Sequence, residues 1–423
     1  MYITGFFIFA LMNLLLFDDP SIRQQCYPLA LTRSIADFRI GILTLREKWS
    51  YAMRSLPVYV CTEAYLQPLY ELPETLDDVV GIASHLFPEE QLLRIIGRLA
   101  PGEGLYGENG RLLAFREKDF LTAGAYARLT ADAHAVVFKP AAAATVSHVA
   151  GIHTPIDVFA YNGTEILRDW QLLFGSSEKS QQQGEWIQST FIGKHAVYSA
   201  PGTRIIASVI NTEAGPVFID EGAEIMEGST IRGPVAICRN AIIKMGARIY
   251  GATTIGPSCT IGGEVKNAVL FGYSNKAHEG YLGDSVIGTW CNLGANTNSS
   301  NIKNNAGIVR IWNQALQAYV PAGKKCGVLM GDFSRCGIGT MLNTGTVVGI
   351  SCNIFGGDFP PKHIPSFSWG GADRWMRYDL AKALQDADAW MQLKQQSLPE
   401  TYKHILTHLY HQLTSTPIHV HRV

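Results

Sequence analysis

Between Lys266 and Asn301 the chain concentrates side chains able to hold and deprotonate a polar ligand. The run Asn275 to Asp284 reads N-K-A-H-E-G-Y-L-G-D, followed by N-L-G-A-N-T from Asn292 to Thr297 and then by Asn301. An imidazole titrates near neutrality, so His278 suits the removal of one proton from an amine. Lys266, Tyr281, Asn292 and Asn301 add a cation and neutral hydrogen-bonding groups that would orient a phosphorylated polar ligand. By pattern alone a lone histidine is more often structural, and both readings stand at this point. A second polar group lies near the N-terminus, where Phe17-Asp18-Asp19 precedes Arg23 and then P-L-A-L-T-R-S-I-A-D from Pro28 to Asp37. Asp18, Arg23, Arg33 and Asp37 are among its charged residues, and taken alone they read as capping or interface residues. Gly102 to Gly107 fits G-x-G-x-x-G but precedes a strand instead of opening a helix, so it reads as a turn. There is no P-loop and no H-E-x-x-H. The histidines of the repeat region described next, His195, His278 and His363, stand more than eighty residues apart and not on neighbouring coils as a metal-dependent hydratase would need, so no metal ligands are assigned.

The elements that must position these groups announce themselves by period. Isoleucine recurs at every sixth position from Ile219 to Ile261 (Ile219, Ile225, Ile231, Ile237, Ile243, Ile249, Ile255, Ile261), and four places after each comes a mostly small residue: Ala223, Ser229, Val235, Ala241, Ala247, Thr253, Cys259. Neither a helix nor an alternating strand demands strict sixes, and the period predicts a hexapeptide β-helix whose aliphatic residues point into a triangular prism. Steps of six return at Ile287 and Leu293, and again from Met330 through Cys336, Leu342 and Val348 to Ile354. The polar cluster and the insert Asn296 to Lys325 fall where the period fails. Upstream, strand-like segments (Asn13 to Phe17, Pro57 to Cys61, Arg111 to Phe115, Ala135 to Phe138) alternate with helix-like ones (Pro88 to Leu99, Thr122 to Ala133), which predicts an α/β layered sheet. The polar stretch Ser176 to Gly184 reads as a linker. Two amphipathic patterns, Trp375 to Leu398 and Thr401 to Leu413, flank Pro399 and predict a helical tail. The expected organisation is an α/β domain at 12–185, a left-handed β-helix at 186–365 and a helical tail at 366–423.

Composition narrows the function classes. A formal net charge of -1 provides no field to gather nucleic acid or anionic membrane. The eight cysteines form no C-x-x-C pair, so reduced thiols are expected in place of a disulfide framework or zinc site. Residues 1–17 are almost wholly apolar, but they lack a basic leader and are shorter than the ~20 residues of a spanning helix. They read as an apolar extension before a buried strand, with Met12 as an alternative start, and the expected location is cytoplasmic.

The stretch from Lys266 to Asn301 resembles the acetyltransferase half of the GlmU family, which acetylates glucosamine 1-phosphate and then uridylylates it. His278-x-x-Tyr-Leu-Gly-Asp, the following Asn-Leu-Gly-Ala, an asparagine nine residues after Asn292, and a lysine twelve residues before His278 all match in spacing. The resemblance implies that His278 is the base that deprotonates the sugar amine for attack on acetyl-CoA. It implies further that Lys266, Tyr281, Asn292 and Asn301 hold the sugar phosphate, and that the chain is a homotrimer with sites between neighbouring prisms. The chain departs from the family at Ile302, which replaces a tyrosine, around Gly337-Ile338-Gly339, where a coenzyme-binding serine is expected, and in its helical tail. The N-terminal domain resembles a sugar nucleotidyltransferase, which implies nucleotide binding by Asp18, Arg23, Arg33 and Asp37 and possible Mg2+ use, but it lacks the Gly-rich loop and has no acid near Ser84-His85. It matches a variant, GlmU-related group with a diverged amino-terminal half. Alternatives are a nucleotidyltransferase with a structural β-helix and a non-catalytic sugar-nucleotide sensor.

Overall fold

The strand Asn13–Phe17 has three consecutive leucines and a phenylalanine, all 1% exposed or less, and so occupies the middle of a sheet covered on both faces. The computed structural model of the chain describes residues 12–54, 57–130, 138–141, 149–175, 180–371 and 374–415. The apolar run 1–11, the expected strand from Ala135 up to its last residue, the end of the expected helix at Ala133 and the first residues of the expected linker at Ser176 lie outside them. The chain divides into two compact units. One comprises 1–24, 33–38 and 43–153, and the other 25–32, 39–42 and 154–423.

In the first unit the six-stranded sheet runs, in spatial order, Lys139–Pro140, Glu103–Tyr106, Leu112–Glu117, Val79–Ala83, Asn13–Phe17, Val58–Cys61. Asn13–Phe17 pairs in parallel with Val58–Cys61 on one side and with Val79–Ala83 on the other, so the chain leaves its carboxyl end at a topological switch point. The α/β class expected from the sequence is present. Its helices are shorter than expected, Glu90–Ile96 within Pro88 to Leu99 and Ala125–Leu129 within Thr122 to Ala133. The strand expected over Arg111 to Phe115 runs Leu112–Glu117. The periodic reading missed Val79–Ala83, whose five residues are all buried and show no alternation, and the helix Leu45–Met53, announced only by the capping box of Thr44 and Glu47.

The second unit is a left-handed parallel β-helix. Its register explains the hexads: Ile219 stacks on Ile237 and Ile237 on Ile255, eighteen residues per coil, and the row continues through Leu270, Ile287, Met330 and Val348 to Ile364. A second row runs Ile210, Ile231, Ile249, Val265, Leu282. The small residues between the isoleucines, from Ala223 to Cys259, are all 0% exposed, because the prism corners leave no room for longer side chains. Asn240, at φ 55°, and Gly246, at φ 71°, make two of the left-handed corners. The helix Pro155–Phe174 packs along Glu264–Gly272 and Tyr281–Thr289. Asn162 on that helix accepts from Gly41 N at 2.7 Å and Thr254 Oγ1 at 3.0 Å, while Asp169 accepts from Ile42 N at 2.7 Å. The tail forms the helices Leu380–Gln392 and Glu400–Leu413. Trp375–Arg377, expected to begin a helix, instead pairs antiparallel with Ser368–Gly370 and closes the last coil. All eight cysteines are buried free thiols, and among the described residues no helix is long and apolar enough to cross a membrane.

Candidate functional site

The hexad regularity breaks at two long strands, Glu264–Gly272 and Tyr281–Thr289, which lie side by side in parallel. Val265 and Leu282 point into the prism at 0% exposure, and strand alternation therefore turns Glu264, Lys266 and Tyr281 outward. Register places Arg248, Glu264 and Tyr281 across three successive coils, with Tyr250, Lys266 and Gly283 beside them. Tyr281 lies across Gly283: a β-carbon built on that glycine would stand 2.2 Å from the tyrosine hydroxyl.

These residues form one hydrogen-bonded face. Asn301 Nδ2 donates to Tyr281 Oη at 3.0 Å and to Asp284 Oδ2 at 2.5 Å, and Asn267 Nδ2 donates to Asp284 Oδ1 at 2.6 Å. Asn298 Oδ1 accepts from Tyr281 N at 2.9 Å, and Tyr250 Oη donates to Glu264 at 2.6 Å. The Lys266 ammonium stands 5.6 Å from the centre of the Tyr250 ring, and among the described residues no carboxylate pairs with it. Burial, reinforced by the Asp284 carboxylate, pushes the Tyr281 phenol up to about 12, and the bond to Glu264, followed by burial, does the same for Tyr250. Both stay protonated at neutral pH. The face thus presents an unpaired cation and a phenol whose oxygen is already bonded to an amide, leaving its own proton to donate outward.

His278 occupies the corner between Asn275–Lys276 and Tyr281–Thr289, with its side chain exposed. Arg248 and Glu279, paired at 2.9 Å, flank the same corner. Lys266, Tyr281 and Asn301 are brought together, with His278 three residues ahead of Tyr281. Asn292 stands on a different row, in register with Asn275 and Arg335. Sequence reasoning missed Tyr250, Glu264 and Asn267, and it quoted Asp284 in the motif without giving it a role. The usable signal was their position next to inward-pointing residues of adjacent coils. Beside Asn301 opens a cavity of about 430 Å³, lined by Ser300, Lys303, Asn304, Asn343, Thr344 and Lys362 among others. No carboxylate pairs with either lysine among the described residues. Burial, with the Lys303 charge in support, lowers the Lys362 pKa.

In the first unit the predicted nucleotide residues form an enclosed lattice. Asp18, 0% exposed, accepts from Thr62 Oγ1 (2.6 Å), Ser34 Oγ (2.8 Å), Ile35 N (3.1 Å) and Arg23 Nη1 (3.2 Å). Arg23, equally buried, also donates to Arg33 O at 2.9 Å, Tyr65 Oη at 3.1 Å and Glu63 at 3.3 Å. Asp37 accepts from Tyr70 Oη at 2.9 Å and pairs with Arg46 at 3.0 Å, while burial raises its pKa. Arg33 is 8% exposed. Asp19 caps the following helix by accepting from Ser21 N at 2.9 Å. These carboxylates already serve the fold, and among the described residues no three His, Cys, Asp or Glu side chains converge to hold a cation, so the residues present do not fit a protein-held Mg2+.

Fold and sites define a class of protein: an α/β unit of nucleotidyltransferase type joined to a hexapeptide-repeat solenoid. Residues 14–178 match the sugar nucleotidyl transferase family model. The chain is similar to GlmU proteins over part of its length. It is 29% identical over 161 residues to the bifunctional protein GlmU of Synechococcus elongatus, covering 37% of this chain and 32% of that one. It is 33% identical over 122 residues to the GlmU of Methanocaldococcus jannaschii, covering 29% and 27% respectively. The chain therefore spans about a third of the length of these curated relatives. Among solved structures, an Arabidopsis UDP-N-acetylglucosamine acyltransferase matches at 14% identity and a TM-score of 0.22, covering 57% of this chain and 92% of that one. The polysialic-acid-specific acetyltransferase NeuO matches at 13% identity and a TM-score of 0.20, covering 51% and 92%.

Proposed function

We propose that the protein is a transferase of sugar-nucleotide synthesis whose solenoid moves an acetyl group from acetyl-CoA to the amine of glucosamine 1-phosphate. The observation that carries this reading is the exposed imidazole of His278 at the edge of a face bearing an unpaired Lys266, an outward phenol at Tyr281 and the Asn301 amide. In this reading Lys266 and Tyr281 hold the sugar phosphate, and Asn301 fixes the phenol. Asn292 completes the sugar site from its own row, across the interface of a homotrimer. His278 takes one proton from the amine as its nitrogen attacks the thioester carbonyl. The carbon–sulfur bond then breaks, the nitrogen keeps the acetyl group, and the proton passes to the departing thiolate. The cavity with Lys303 and Lys362 supplies the cationic lining that the phosphates of the acyl donor require.

The first unit, with its nucleotidyl transferase match, is proposed to transfer a uridylyl group to the sugar 1-phosphate. Asp18, Arg23, Arg33 and Asp37 would act there by shaping the loop that meets the nucleotide, and Mg2+, where used, would arrive with the triphosphate. The whole reaction would take place in the cytoplasm. The test is release of coenzyme A from acetyl-CoA plus glucosamine 1-phosphate. His278→Ala is expected to lower kcat by about 100-fold or more, the usual worth of a general base, at unchanged thermal midpoint because the side chain is exposed. Undiminished turnover in that variant would remove the proposed base. A second assay, pyrophosphate release from UTP and a sugar 1-phosphate, tests the first unit separately.

A further inference from the structure

One row of the prism interior runs Ile205, Ile225, Ile243, Ile261, and further along come Leu293, Cys336 and Ile354. Between them, directly on Ile261, stands Lys276, 1% exposed. Packing alone does not select a lysine here, because a buried ammonium gives up hydration that an aliphatic side chain never had. Burial accordingly lowers its pKa to about 8. The charged groups facing it are Glu279 and Arg248, themselves paired.

Its amine is committed to two backbone oxygens. Lys276 Nζ donates to Gly262 O at 3.0 Å and to His278 O at 2.6 Å. The surrounding corner is built to admit it: a β-carbon on Gly263, whose φ is +69°, would lie 2.9 Å from Nζ and 2.9 Å from His278 O. The corner also needs a tie. Gly280, two residues after His278, sits at φ +124°, a conformation open to glycine and to few other residues, and glycine by itself does little to hold a turn still.

We propose that Lys276 is a positioning residue, which fixes the place of the His278 imidazole by tying the His278 carbonyl to the preceding corner from inside the prism. The proposal rests on the reading of His278 as the base, and it makes one statement independent of that reading: the corner 278–280 is held by Lys276. Misplacing a catalytic group by about 1 Å can lower turnover by about 100-fold.

The test uses the full chain carrying Lys276→Met, which keeps the length and fills the row, and Lys276→Arg, which keeps the charge and the donors. Three quantities are measured: hydrogen exchange at the amides of 278–280, carbethoxylation of His278 by diethyl pyrocarbonate, and acetyl-transfer kinetics. In the Met variant, exchange at the corner is expected to quicken about 10-fold or more, and kcat to fall about 10- to 100-fold. Exchange along the isoleucine rows and the KM for the sugar phosphate should stay within about twofold, and the Arg variant should recover part of both losses. Unchanged exchange and unchanged His278 reactivity in the Met variant overturn the proposal. A looser corner in a protein whose wild type shows no acetyl transfer upholds the tie and removes the catalytic reading. If the Met variant fails to fold, the Arg variant decides: wild-type exchange supports a donor role, and a corner as loose as in an unbraced turn refutes it.

Discussion

At the scale of single residues, the candidate site depends as much on what is missing from a backbone position as on what is present. Gly283 has no side chain, and the Tyr281 ring occupies the space one would take. That placement puts the phenol oxygen within reach of Asn301 and leaves its proton for a ligand. Gly283→Ala is therefore expected to displace the ring and raise the KM for the sugar phosphate by about 10-fold, the worth of one buried hydrogen bond to a charged partner. Tyr281→Phe should produce a similar rise, and the double variant little more than either alone. Isothermal titration with glucosamine 1-phosphate checks all three. The motif around His278 was legible because residue types and spacing are properties of the chain. The bonds of Tyr250 to Glu264 and of Asn267 to Asp284 were not, because they join residues that only the stacking of coils brings within 3 Å.

At the scale of elements, the two units solve burial differently. The solenoid repeats one solution: an isoleucine per strand, small residues at the corners and a left-handed residue where the chain turns. The first unit places hydrophobic strands around Asn13–Phe17 and encloses charged groups at their carboxyl ends. His85, which follows the strand Val79–Ala83, is 4% exposed, and its ring meets His153 edge-on at 5.2 Å. Burial, with the neighbouring His153 in support, pushes its pKa down to about 3. The unfolded chain takes up a proton near pH 6.5 that the folded unit refuses until about pH 3, so stability is lost progressively as pH falls through that window. Between pH 7 and pH 5 the unit is expected to lose about 2 kcal/mol from this group. Hydrogen exchange of the amides of 79–83, corrected for intrinsic rates, should show that loss in the native protein and not in His85→Gln.

At the scale of the whole molecule, the proposed homotrimer, with sites between neighbouring prisms, is open to a direct test. Sedimentation of the native protein should give three times the 46.4 kDa chain mass, and a monomer would separate Asn292 from the sugar site proposed for Lys266 and Tyr281. The sequence by itself determined the solenoid, because a strict period of six has one structural solution and each isoleucine reports its own inward direction. It also pointed to the place of the candidate site, since the residues proposed for proton transfer and phosphate binding stand where that period breaks. Tertiary structure alone decided that the helix Pro155–Phe174 packs on the solenoid, that Asp18 and Arg23 are enclosed by their own partners, and that Lys276 lies within the prism. Each of those outcomes depends on contacts between residues distant in the chain or stacked one coil apart, whose hydrogen bonds and burial have no counterpart in local spacing.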